Sequence, residues 1–180
     1  MLRALGSNVV LALAGGPVCA SELSLPAVRV HTSMRIDDSL SEGISLFMAE
    51  LLRIREIVRA ASKEERREAP RVLFLLDEIL HGTNTAERRV AARGVVRHLL
   101  ASGAIGAVST HDLTLADAPD LKRAAVAVNF REQVQPARPG EGTRLTFDYQ
   151  LREGIATTRN ALKLLEAVGL DGLELDEEEV

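Results

Sequence analysis

Residues 71–85 read RVLFLLDEILHGTNT, an unbroken apolar run that stops at two adjacent acids and then turns polar. A run so short and so uniform fits a central parallel strand covered on both faces. Pro70, just before it, keeps the charged connector SKEERREAP from continuing as helix into the strand. Asp77 and Glu78 then stand at the strand's carboxyl end, where two ionised side chains are costly unless something compensates them. The polar exit HGTNTAERR opens a helix, with Asn84 as N-cap and Glu87 at the capping-box position. Val90, Val95 and Leu99 are the expected buried stripe of that helix, which runs to Gly103. A further strand, AIGAVST, leads directly to His111. Strand, helix and strand in this order call for a right-handed crossover and a parallel sheet.

The flanking segments extend the same pattern. Leu2, Leu5, Val9 and Leu13 recur at helical spacing until Gly15, Gly16 and Pro17 end that helix. Residues 28–36 are β-rich and predict a strand. A helix follows over about 42–61, with Ile44, Phe47, Met48, Leu51, Ile54 and Val58 on one stripe, and Phe47 and Met48 are expected to pack in the core. Beyond Pro119, AAVAVNFREQV and RLTFDYQLREG alternate in polarity around the Pro/Gly-rich turn at 136–142, as a β-hairpin does. A last helix is expected over about 158–168, closed by Gly169. The whole reads as an α/β chain, a mostly parallel sheet flanked by helices, with a C-terminal hairpin and helix. Residues 1–170 are expected to form one domain, and the acidic run at 171–180 a disordered tail.

Composition limits the function classes. The chain has 180 residues, 46% hydrophobic and 27% charged, enough apolar matter for a globular core. Its net charge of −4 gives no overall basic field toward DNA or anionic lipid. Arg53, Arg55 and Arg59 alternate with Glu50 and Glu56, the pattern of a solvated helix face. Cys19 is the only cysteine, so no internal disulfide or multi-cysteine zinc site can form, and a reducing cytoplasm is the expected compartment. The first twenty residues superficially resemble a secretory leader, but Asn8, Gly15, Gly16 and Pro17 break the apolar stretch, and no other run approaches a membrane span.

In open α/β sheets ligands bind beyond the carboxyl ends of the strands. Asp77 and Glu78 end one strand, and Ser109, Thr110 and His111 end another. One acid there can support Mg²⁺, the next can orient or deprotonate a water, and a histidine can donate to a phosphate oxygen. Taken singly, an acidic pair at a strand end is more often a cap or salt-bridged pair, and a lone histidine after a strand is more often a turn residue. Their conjunction at neighbouring sheet positions points to phosphoanhydride hydrolysis. His31, His81, His98 and His111 are too dispersed for a multi-histidine metal hydrolase. A Leu-Ser-Gly-Gly-type transporter signature is absent, and the order of acids does not match a phospho-receiver.

VLFLLDEILHGTNT followed by AVSTHDL closely resembles the Walker B, D-loop and His-loop sequence of the MutS family of DNA mismatch repair ATPases, members of the ABC ATPase superfamily. RIDDSLSEGISLFMAELLRI is similar to that family's signature segment, whose usual form is a Ser-Thr-Phe-Met-x-Glu run opening a helix. FDYQLREGIATTRNALKLLEAVGL resembles the family's segment after the hairpin. The resemblance implies a partial P-loop NTPase fold of the ABC ATPase-like kind. It implies that Asp77 supports the Mg²⁺ that accompanies ATP, that Glu78 is the general base, and that His111 senses the γ-phosphate. Ser45 would contact the γ-phosphate of ATP held by the other subunit of a homodimer. Thr83, Asn84 and Thr85 would form the loop that crosses the dimer interface. ATP and ADP are the implied ligands, and DNA would be contacted through domains outside this chain. Two positions depart from the family pattern: Leu46 stands where the signature usually has Thr, and Asn84 where the D-loop often has Ser.

Such an ATPase needs a Gly-rich cradle ending in Gly-Lys-Ser/Thr, because backbone N–H groups and the lysine neutralise the phosphates. The sequence contains none, and in the family that cradle opens the helix corresponding to LRALGSNVVLALAGG. Two expectations follow. Either Met1 is internal to a longer ATPase, or the chain is a P-loop-less dimerisation or interaction module. Asp77, Glu78 and His111 together favour the first, since a scaffold has no use for them. Either way a sheet edge and the first helix are expected to be partly uncovered.

Overall fold

The central strand forms where the apolar run places it. A computed structural model describes residues 1–34, 45–62, 69–80, 84–135 and 144–156, in two compact units, Met1–Ala124 and Ala125–Val180. In the first unit β1 (Val28–Ser33), β2 (Arg71–Asp77) and β3 (Ile105–Ser109) form a parallel sheet in the order β1-β2-β3. The helices are α1 (Leu2–Leu13), α2 (Leu46–Ala60), α3 (Thr85–Ala101) and the short α4 (Leu113–Ala116). Successive residues of β2 point to opposite faces. Val72, Phe74 and Leu76 join the core with α2 and α3 through Ile54, Ile57, Ala92, Val96 and Leu99. Leu75 lies toward α1, its Cδ1 3.0 Å from where a Cβ on Gly6 would sit. Both faces of β2 are thus covered, which is why its sequence shows no polar alternation.

The helix ends follow the local chemistry. Gly15, at φ +74°, closes α1: its N–H donates to Ala12 O, and that of Gly16 to Leu11 O at 2.8 Å. The pair forms a Schellman cap, which needs a left-handed residue after the helix. Gly103, at φ +75°, does the same for α3, with N–H bonds from Gly103 to Leu100 O and from Ala104 to Leu99 O. Arg29 on β1 donates from Nη2 to Ala60 O at 2.8 Å and so ties the C-terminal end of α2 to the sheet.

Four expectations are corrected. The helix expected over 42–61 is α2, and Ser45 precedes it in extended conformation as its N-cap. Met48 is 48% exposed, since the buried line of α2 runs through Ile54, Ile57 and Ala61 and Met48, nine residues before Ile57, lies about half a turn round from it. Val90 is 76% exposed because α3 buries Ala92, Val96 and Leu99. Nine residues separate Val90 from Leu99, which puts it about half a turn round from the buried face. Leu13 likewise stays exposed while Leu2, Gly6 and Val9 carry the packing of α1; Met1, Val10 and Leu11 are exposed as well.

The second unit is the expected hairpin, with a refinement. β5 (Glu132–Gln135) pairs antiparallel with β6 (Arg144–Phe147), and β4 (Val128–Asn129) with β7 (Arg152–Glu153). Between the two ladders Phe130 and Arg131 face four residues, Asp148 to Leu151, so the register shifts by two. Asp148 organises the excess: its carboxylate accepts from Gln150 N–H at 2.9 Å and from Arg152 Nη2 at 2.6 Å, around Tyr149 at φ +55°. The helix expected over 158–168, the acidic tail and the turn at 136–142 lie outside the described residues.

Candidate functional site

The parallel register brings the ends of β2 and β3 together, Asp77 opposite Ser109. The Ser109 hydroxyl donates to Asp77 Oδ1. Glu78, the next residue, donates its N–H to Ser109 O at 3.1 Å. Its carboxylate meets His111 Nε2, with 33% of the Glu78 side chain and 85% of the His111 side chain open to solvent. Glu78 and His111 therefore meet at the carboxyl edge of the sheet, next to the Asp77–Ser109 pair.

The turn that carries Glu78 is strained. Glu78 at φ +52° and Leu80 at φ +63° are both left-handed without being glycine. Each such residue costs about 1–3 kcal/mol and persists only where its surroundings over-determine it. Here Ile79 and Leu80 are buried, Ser109 holds one N–H, and the Glu50 carboxylate on α2 accepts the N–H of Leu80.

His111 is held from both sides. The Asp112 N–H donates to Thr110 Oγ1 at 3.0 Å. Asp112 caps α4 by accepting from Thr114 N–H at 3.0 Å and from Thr114 Oγ1 at 2.6 Å, and it accepts from Arg89 Nε on α3 at 2.6 Å. Burial by itself would raise the Asp112 pKa, but the bonds from Thr114 and Arg89 and the Arg89 charge outweigh it, so the carboxyl stays below its usual range. Arg93, one turn after Arg89, grips Asp120 at 2.7 Å, so α3 clamps the segment after His111 at two points.

Ser45 lies at the N-terminus of α2, where its hydroxyl accepts from Met48 N–H at 3.3 Å. Asn84 caps α3 by accepting from Ala86 N–H at 2.9 Å, and Thr85 is the first residue of that helix. Thr83 lies outside the described residues. Glu50, expected on a solvated helix face, instead bonds the Leu80 N–H, and two further residues with a bearing on the site, Arg89 and Asp112, escaped the sequence reading. Only Asp112 carried a local signal, an Asp two residues before a Thr at a helix start.

The donor chemistry suits magnesium. Mg²⁺ in phosphate sites takes one or two carboxylates and completes its shell with water and phosphate oxygens, and the Asp77 carboxylate at a strand end is a ligand of that kind. Among the described residues no group of three or more His, Cys, Asp or Glu is gathered as an all-protein cage would need. None of the helices among the described residues is long and apolar enough to cross a membrane.

A parallel sheet with helices on both faces, and its acids at the carboxyl edge of the central strand, defines an α/β domain of the P-loop ATPase-like class. The family model described as MutS domain V matches residues 1–172. "DNA mismatch repair protein MutS 2" of Halobacterium salinarum is 32% identical over 171 residues, covering 94% of this chain and 18% of the relative. "DNA mismatch repair protein MutS" of Shouchella clausii is 29% identical, with the same 94% and 18% coverage. "Endonuclease MutS2" of Streptococcus mutans is 26% identical over 181 residues, covering 99% of this chain and 21% of the relative. The chain belongs to the MutS family. It spans about a fifth of the length of these relatives.

Proposed function

We propose that the chain is the C-terminal part of an ATP-hydrolysing domain that couples ATP turnover to DNA mismatch repair or a related DNA transaction in the cytoplasm. The observation that carries this reading is the contact of Glu78 with His111 beside the Asp77–Ser109 pair, at the ends of two parallel strands. Two of the relatives are named as DNA mismatch repair proteins.

In this reading Asp77 holds Mg²⁺, with Ser109 orienting its carboxylate. The bound ion, with ATP, would neutralise phosphate charge. Glu78 accepts the proton of the attacking water; its partial exposure leaves it open to solvent. His111 donates to the γ-phosphate from a ring held beside Glu78. Ser45, at a helix N-terminus, would meet the nucleotide of a second subunit, and Thr83, Asn84 and Thr85 would cross between subunits. DNA would be bound by other parts of a longer protein.

The sequence holds no Gly-Lys-Ser/Thr cradle, so the chain alone is expected to bind Mg·ATP weakly and to hydrolyse it negligibly. Micromolar affinity by calorimetry would contradict that. With a Gly-rich loop ending in Gly-Lys-Ser fused ahead of Met1, ATP turnover is expected. Glu78→Gln would then lower kcat by about 10²-fold or more and leave binding intact. Unchanged turnover in that variant removes Glu78 as the base. No turnover in the fused parent would favour a dimerisation module.

A further inference from the structure

The carboxylate of Glu50 bonds the turn that leaves β2. It stands on α2, five residues or about one and a half turns after Ser45, and accepts the N–H of Leu80, thirty residues away in sequence. Leu80 and Glu78 are the two left-handed residues of that turn, with buried Ile79 between them. A left-handed leucine relaxes toward the ordinary helical or extended regions unless its N–H is held. Rotation at Leu80 would be passed through Ile79 to Glu78, whose N–H bond to Ser109 and contact with His111 depend on the same backbone path.

We propose that Glu50 is a positioning residue: its carboxylate locks the Glu78–Leu80 turn and so sets the Glu78 side chain against His111. A carboxylate suits the task because a charged acceptor gives a stronger bond to a backbone N–H than a neutral one. The catalytic meaning of this rests on the proposed role of Glu78. On that reading, the helix that offers Ser45 to a second subunit's nucleotide also holds the turn of its own subunit's base. The conformational claim can be tested without nucleotide, so its failure is separable from failure of the ATPase reading.

The test uses the full chain and NMR. Amide hydrogen exchange reports the Leu80 N–H, and the His111 ring resonances report the Glu78 contact, with Glu78→Ala marking where they lie when that contact is gone. Glu50→Ala is expected to speed Leu80 exchange by about tenfold or more. The His111 signals should move toward the Glu78→Ala positions, while Leu75 and Leu76 in β2 keep their protection. Glu50→Asp, one methylene too short to reach, should behave like Glu50→Ala and guards against a general packing defect. Glu50→Gln keeps an acceptor oxygen at the right length and should restore both readouts. Unchanged Leu80 exchange in Glu50→Ala or Glu50→Asp overturns the proposal. So does a Leu80 effect that leaves His111 where it was, or a Gln variant that fails to rescue.

Discussion

Replacing Gly106 by alanine is expected to force β2 and β3 apart. Gly106 pairs with Phe74 in the parallel register, and a Cβ at that position would lie 2.1 Å from Phe74 O and 2.5 Å from Phe74 Cγ and Cδ2. Real Cβ atoms essentially never come within 3.0 Å of such neighbours, so nearly 1 Å of movement is needed. The Phe74 ring is fully buried and the nearest atom is main chain, so neither can yield cheaply. Overpacking costs about 1–3 kcal/mol. Stretching the adjoining ladder bonds by that distance adds about 1 kcal/mol. The entropy that alanine removes from the unfolded chain returns less than about 1 kcal/mol, so a net loss of about 3 kcal/mol is expected. For a chain of this size that lowers Tm by roughly 6–12 °C. With no Trp and a single Tyr, urea unfolding is best followed by circular dichroism. A change within about 0.5 kcal/mol, the range of an inert surface substitution, would refute the register that sets Asp77 beside Ser109.

Gly94 supplies the opposite case, because a Cβ there meets nothing within 4 Å in the middle of α3. Gly94→Ala should stabilise the chain by about 1 kcal/mol through helix propensity, and a lowered denaturation midpoint would contradict the packing of α3. Asp148 is held at a pKa of about 2, chiefly by the bond from Arg152, then by Gln150 N–H and the Arg152 and Arg131 charges, against opposing burial. A folded pKa below the unfolded value contributes stability above pH 3.8 that is lost as pH falls toward 2. Carboxyl NMR should therefore show Asp148 titrating near pH 2 in the native chain, and rising in Arg152→Ala; a native midpoint near 4 would remove the ion pair as organiser of the bulge.

The candidate site was legible where its signals were local. Asp77 and Glu78 announced themselves because charge ends a strand that is apolar from Val72 to Leu76. His111 did so because it closes the next strand at once. Asn84 was placed by its side chain, which bonds an N–H two residues on, whereas Ser45 came only from the family resemblance and its cap was found in the structure. Met48 and Val90 misled, since apolar spacing gives the period of a helix but not which side of it meets the sheet. Glu50 was read as solvated and Arg89 was passed over for a different reason: in helices full of charges, charge pattern alone does not mark the one that turns inward.

Sequence by itself determined the parallel α/β pattern, the central place of Arg71–Asp77, the hairpin and the Asn84 cap of α3. Each rests on periodicity, propensity or a bond within a few residues, and these act wherever the chain lies. Tertiary structure decided that Glu78 meets His111, that Ser109 holds Asp77, that Glu50 grips Leu80 and that two non-glycine residues take positive φ. It also set the two-residue slip between the ladders of the hairpin. The strand-end contacts join groups thirty or more residues apart, and the strained turn survives only because the surrounding packing and bonds outweigh its local cost.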